Sequence, residues 1–213
     1  MLDQENKNYC TLYIIRHSET EWNVKEIVMG QSDSPLTENG IKQAERLRSE
    51  LQPIAFDAVF SSDLLRAHRT AQIITLEKKL AIQTSQLLRE RAYGKQEGRH
   101  SAAYRNEVKE LIEKVQQLPD HEKWTFKFGE DIETDDEVIA RFITFIREIA
   151  VTFANKTVLV VTHGGCIRFF LIHLGYVTYE QIPSGSFKNG GYVKVLSDGI
   201  DFIIKEVEGL EKK

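Results

Sequence analysis

The chain has 213 residues, of which 41% are hydrophobic and 28% are charged, and its formal net charge is −4. This length and composition predict a soluble protein with one domain over residues 1–213. The negative net charge excludes a general attraction to nucleic acid, and no apolar run is long enough to span a membrane. Residues 1–8 are a polar tail without the apolar core of a signal peptide, so we expect a cytoplasmic protein.

Short strands and longer helices alternate in the first half of the predicted structure. The strands are expected at short apolar, β-prone runs over 11–15, 56–60 and 80–84. The helices are expected where Thr37 caps a segment that Pro53 ends, over about 63–79, and over 101–117. A loop over 88–98 joins the third strand to the third helix.

The second half begins with an irregular segment, 119–133, which is either a lid over the pocket or a surface excursion. Thr134 and Glu137 form a capping box that opens a long helix. After it we expect a strand over 157–162, a helix over 165–174, and a hairpin of strands at 191–196 and 200–207. This order predicts a three-layer α/β/α sandwich with a mostly parallel sheet, and the hairpin adds an antiparallel edge.

Two of the predicted strands end in a histidine. The first strand leads into Arg16-His17, and the strand over 157–162 leads into His163-Gly164. Open α/β sheets place reactive side chains just beyond the carboxyl ends of their strands. We therefore expect these two strands to be neighbours, so that His17 and His163 meet.

Four motifs follow one another along the chain. They are Arg16-His17-x-Glu19-Thr20-x-Trp22-Asn23, Ser61-Ser62-Asp63-Leu64-x-Arg66-Ala67-x-x-Thr70-Ala71, Leu88-Arg89-Glu90-Arg91-x-Tyr93-Gly94-x-x-Glu97-Gly98 and Thr162-His163-Gly164-Gly165. Together they resemble the motifs of the histidine phosphatase superfamily, which has the phosphoglycerate-mutase-like fold. The resemblance covers most of the chain from residue 11 to about 196. Ser18 departs from it, because the family usually has glycine there.

The resemblance implies a role for each matching residue. It implies that His17 is the nucleophile, that Glu90 is the proton donor, and that His163 contacts the phosphoryl group as a cation. Guanidinium donors match phosphate oxygens, and backbone N–H groups at a helix start favour anions. The phosphate contacts implied are Arg16, Asn23, Arg66 and the Gly164 N–H, and the substrate contacts implied are Arg91 and Tyr93.

These residues imply a phosphomonoester hydrolase that forms a phosphohistidine and needs neither a metal nor an organic cofactor. The expected partner is a small phosphorylated metabolite, such as a sugar phosphate or a nucleoside-type phosphate, rather than nucleic acid or a membrane. Two alternatives stay open: a cofactor-dependent phosphoglycerate mutase, and an inactive interaction module, which crowding by Ser18 would favour. Cys10 and Cys166 indicate no disulfide framework, and no histidine spacing indicates a metal site.

Overall fold

A six-stranded mixed sheet organises the computed structural model, which describes residues 8–211. Most of the predicted polar tail lies outside this range. The strands are β1 (Cys10–Arg16), β2 (Ala58–Ser62), β3 (Ile82–Ser85), β4 (Thr157–Thr162), β5 (Phe187–Ser197) and β6 (Phe202–Leu210). Their order is β3-β2-β4-β1-β5-β6, with the first four parallel and the last two antiparallel. The predicted parallel sheet with an antiparallel hairpin edge is confirmed.

In the described part of the chain, eight α-helices connect or flank these strands. They are α1 (Glu21–Val24), α2 (Glu38–Glu50), α3 (Leu65–Ile74), α4 (Ser101–Glu107), α5 (Lys109–Gln116), α6 (Asp120–Lys123), α7 (Asp135–Thr152) and α8 (Gly164–His173). The predicted capping box is present, because Thr134 and Glu137 exchange hydrogen bonds at the start of α7. None of the helices within residues 8–211 combines the length and hydrophobicity needed to cross a bilayer.

The sheet separates two apolar layers. Successive strand residues point to opposite faces, so alternate residues of one strand belong to different layers. On one face, α7 and α8 cover side chains that include Leu12, Ile14, Val158 and Val160. On the other face, α2 and α3 cover side chains that include Tyr13, Ile15, Leu159 and Val161. The arrangement is the predicted three-layer sandwich.

The neighbouring parallel strands β1 and β4 place the two histidines together. Arg16 is opposite Thr162 in the register, and the His17 N–H donates to the Thr162 carbonyl at 2.9 Å. Both strands end at the same edge of the sheet, and His17 and His163 follow directly. The expectation that these strands are neighbours is confirmed.

Two predicted helices are shorter than expected. The helix over 101–117 is broken at Val108, whose backbone leaves the helical region and whose side chain packs against Tyr104 and Ile132. Helix α3 ends at Ile74 instead of residue 79, where Lys79 has a positive φ of 53°.

Cys166 follows the second histidine as a buried free thiol, and burial raises its pKa to about 12.

Candidate active site

The two strand-end histidines form the centre of the site. The ring centroids of His17 and His163 are 5.2 Å apart, and the residues are only 3% and 0% exposed. The His17 Nδ1 atom lies 2.8 Å from the Ser18 carbonyl oxygen. Because a carbonyl can only accept, Nδ1 carries the proton of a neutral ring and Nε2 presents its lone pair.

The surroundings keep both rings neutral. Burial lowers the pKa of His17 well below 6.5, and the nearby Arg66 and Arg16 cations lower it further. Burial also lowers the pKa of His163 well below 6.5, and the nearby Arg66 cation lowers it further. A neutral His17 is competent as a nucleophile at pH 7. His163 is neutral in the free site, so the cation implied by the family resemblance requires the negative charge of a bound phosphate.

Arg16 lies against the start of α8. Its Nη1 atom donates to the Phe187 carbonyl on β5, and its Nε atom is buried without a partner. A Cβ atom added to Gly164 would lie 3.1 Å from Arg16 Nε, so glycine permits this close approach. Burial lowers the pKa of Arg16 to about 10, and the side chain therefore stays cationic at neutral pH.

Arg66 is 1% exposed and is oriented by the loop after α1. Its Nη1 donates to the Ser32 carbonyl at 2.7 Å and to Asp33 Oδ1 at 3.1 Å, and its Nη2 donates to the Gly30 carbonyl at 2.7 Å. Asp33 Oδ2 also accepts from the Leu65 N–H at 2.7 Å and so caps α3. Sequence reasoning missed Asp33, because it caps a helix that begins 32 residues later.

Glu90 is held at the first turn of α8, beside the second histidine. Its Oε2 accepts from the Gly165 N–H at 3.0 Å, and its Oε1 accepts from the Arg91 N–H at 2.8 Å. The Glu90 carbonyl accepts from Arg141 Nη2 at 3.0 Å, which fixes the main chain of this loop. The predicted proton donor therefore shares the edge of the sheet with the histidine pair.

The two implied substrate contacts, Arg91 and Tyr93, lie together beyond Glu90. The Arg91 guanidinium carbon is 5.4 Å from the Tyr93 ring centroid and 5.6 Å from that of Phe128. Arg91 Nη1 donates to Asp135 Oδ1 at 2.8 Å. Phe128 belongs to the segment interpreted as a lid or a surface excursion, so this segment contacts the loop that carries the proton donor.

Buried polar atoms without partners concentrate at this site. Within residues 8–211 they are Arg16 Nε, Ser18 Oγ, Arg66 Nε, Arg91 Nε and Nη2, and both ring nitrogens of His163. Buried polar groups in folded proteins nearly always have partners. The guanidinium donors match the acceptor oxygens of a phosphate. No cluster of three or more His, Cys, Asp or Glu side chains within the same range is arranged to hold a metal ion.

An imidazole with a free lone pair, buried arginines and an adjacent carboxyl group can together accept a phosphoryl group. In agreement with this chemistry, the family model described as histidine phosphatase superfamily (branch 1) matches residues 12–208. The chain belongs to this superfamily.

Individual relatives agree with this assignment. The chain is 32% identical to a broad-specificity phosphatase of Saccharomyces cerevisiae, across 96% of this chain and 88% of the yeast protein. It is 30% identical to the adenosylcobalamin/alpha-ribazole phosphatase of Escherichia coli, across 76% and 78% of the two chains. The solved structure of Bacillus stearothermophilus YhfR is similar with a TM-score of 0.81 and 29% identity, across 94% of this chain and 96% of that one. The chain is thus a histidine phosphatase that acts on phosphorylated metabolites.

Proposed function

We propose that the chain, as one domain, is a metal-independent phosphomonoester hydrolase that works through a phosphohistidine on His17. The observation that carries the proposal is the bond from His17 Nδ1 to the Ser18 carbonyl, which leaves Nε2 free on a neutral ring. The rest of the predicted set supports it, since Arg16, Arg66 and Glu90 lie at the same edge of the sheet. A cytoplasmic location stays a prediction from the sequence.

The reaction has two steps on this site. The phosphate oxygens are bound by Arg16, Arg66, Asn23, His163 and the Gly164 N–H. The His17 Nε2 lone pair forms a bond to phosphorus while the bond to the leaving oxygen breaks, and the Glu90 carboxyl gives that oxygen its proton. The Glu90 carboxylate then takes a proton from water, whose oxygen attacks phosphorus and releases His17 and inorganic phosphate.

The proposed substrate is a small phosphorylated metabolite, such as a sugar phosphate or a nucleoside-type phosphate. Two relatives support this class. The yeast relative is described as a broad-specificity phosphatase, and the Escherichia coli relative is described as an adenosylcobalamin/alpha-ribazole phosphatase. Arg91 and Tyr93 would hold the leaving group, since the Arg91 side chain keeps two buried nitrogens without partners.

The test is release of inorganic phosphate from a panel of phosphomonoesters in the presence of a chelator. Wild type should release phosphate, and His17→Ala should lose activity on the order of 10³-fold or more. His121→Ala is the matched control, because the His121 side chain is 79% exposed. A rapidly quenched reaction should also give a phosphoryl adduct on wild type that His17→Ala lacks.

Each contrary result would indicate a different function for this chain. Transfer of phosphate between hydroxyl groups without net release would indicate the mutase. Neither release nor transfer would indicate an inactive interaction module. Activity lost only on adding chelator would indicate that His17 and His163 hold a metal ion.

A further inference from the structure

We propose that Asn189, which no motif includes, is a positioning residue for both the nucleophile and the phosphate-binding amide of Asn23. The inference rests on the proposed function. Asn189 lies near the start of β5, and its Nδ2 atom is 3.1 Å from the His17 carbonyl oxygen and 3.2 Å from Asn23 Oδ1. One carboxamide thus joins two residues that belong to the first motif.

The Asn23 carboxamide must point one way to bind phosphate. Its Oδ1 receives donors from the Thr20 N–H at 3.1 Å, the Thr20 hydroxyl at 3.0 Å and Asn189 Nδ2 at 3.2 Å. A backbone N–H can only donate, so this network assigns the oxygen to that side and leaves the Asn23 NH₂ group as the phosphate donor. A flipped amide would present an acceptor oxygen to the phosphate and would repel it.

Asn189 is the distant member of this network. Thr20 is the N-cap of α1 and belongs to the same turn as Asn23, so its two bonds hold the amide only within that turn. Asn189 connects the turn to the sheet from 166 residues away. It therefore fixes where the Asn23 amide lies relative to the strand ends as well as which way it faces.

The same side chain fixes the main chain of the nucleophile. The His17 carbonyl accepts from Asn189 Nδ2 and from the Gly190 N–H at 3.4 Å, while the His17 N–H donates to β4 through Thr162. Gly190 has a φ of +72°, a conformation that favours glycine, and the register of β5 against β6 is irregular here. Because of this irregularity, the Asn189 side chain and the Gly190 N–H both donate to the His17 carbonyl.

Asn189→Asp is the informative substitution, because it keeps the shape and replaces the donor with acceptors. A carboxylate would face two oxygens, the His17 carbonyl and Asn23 Oδ1, and would favour the flipped Asn23 amide. We expect about a 100-fold loss in kcat/KM, the size of effect that a displacement of about 1 Å near the reacting atoms produces. We also expect binding of inorganic phosphate, measured by calorimetry, to weaken about 10-fold.

A double-mutant cycle with Asn23→Ala separates positioning from a general charge effect. If Asn189 acts through Asn23, then Asn189→Asp should weaken phosphate binding less than 3-fold in the Asn23→Ala background. Weakening by the same factor in both backgrounds would overturn the inference, because added negative charge alone would act in both. Asn106→Asp, which changes an exposed residue of α4, is the control and should leave turnover and phosphate binding unchanged.

Two further measurements keep the test decisive. If Asn189→Asp does not fold, Asn189→Ala enters the same cycle, and additive effects again overturn the inference. If wild type binds phosphate but releases none from esters, the proposed function fails, whereas the cycle on phosphate binding still tests the positioning role. A wild type that hydrolyses esters together with an additive cycle would refute only the role of Asn189.

Discussion

Lowering the pH should destabilise this protein through the two buried histidines. Both His17 and His163 have a pKa below the ordinary value of 6.5 in the folded chain. As the pH falls below about 6.5, the unfolded chain therefore binds protons that the folded chain does not. Each such histidine lowers the free energy of unfolding by at most about 1.4 kcal/mol per pH unit, so the pair contributes at most roughly 3 kcal/mol between about pH 6 and 5.

Urea unfolding at several pH values from 5 to 7.5, in a buffer without phosphate, measures this effect. His163→Gln should lower this slope below about pH 6, by up to about 1.4 kcal/mol per pH unit. His121→Gln, at an exposed position, is the control and should keep the wild-type slope. Carboxylates also make the stability depend on pH, because a backbone N–H lowers the pKa of Asp57 and Arg89 lowers that of Asp63. Their contribution is the same in wild type and in His163→Gln, so it does not affect the difference between the two slopes. Equal slopes for wild type and His163→Gln would show that His163 is already protonated or hydrated, and would refute the reasoning.

Three further substitutions test the packing around the site. Asp33→Ala removes the cap of α3 and the partner of Arg66, so urea unfolding should show a loss of about 1–2 kcal/mol, and KM should rise. Ser18→Ala removes a buried hydroxyl without a partner, so the free energy of unfolding should stay within about 0.5 kcal/mol or rise. A loss above about 1 kcal/mol would contradict that. Gly40→Ala would place its Cβ 2.0 Å from the Glu19 carbonyl oxygen, so we expect a loss of about 1–3 kcal/mol, and a higher melting temperature would contradict this packing.

The parts of the site that depend on strand ends could be predicted from the sequence. Strand β1 and strand β4 are short apolar runs, and each ends in a polar residue that cannot continue a buried strand. Parallel neighbours bring their carboxyl ends to one edge, so His17 and His163 were expected together, and their rings are 5.2 Å apart. Arg66 is instead implied by the family resemblance of its motif, and in the structure it lies in the first turn of the helix that follows β2.

The parts that depend on contacts between distant irregular segments could not be predicted. Asp33 caps α3 across 32 residues, and Asn189 reaches His17 across 172 residues, with no periodic pattern to show either pairing. Glu97 stands in a recognised motif, but its role as acceptor for the Gln31 and Ser32 N–H groups required the folded loop. Such bonds join side chains to backbone groups of loops. Hydrophobic periodicity predicts helices and strands, but it does not predict the geometry of loops.

Burial accounts for both the chemistry and the instability expected of this site. Removing His17 from water keeps its ring neutral and so leaves Nε2 nucleophilic, while the same burial leaves guanidinium nitrogens of Arg16 and Arg66 without partners. Those nitrogens are stabilised when an anion supplies acceptors, and the charge of that anion also favours the protonated form of His163. Under the proposed function, binding of a phosphate dianion would therefore do two things at once: it would pair the buried donors, and its charge would favour the protonated His163 that the proposal assigns to the transferring phosphoryl group. A neutral ester analogue would do neither, so discrimination between phosphate and uncharged groups follows from the buried donors themselves.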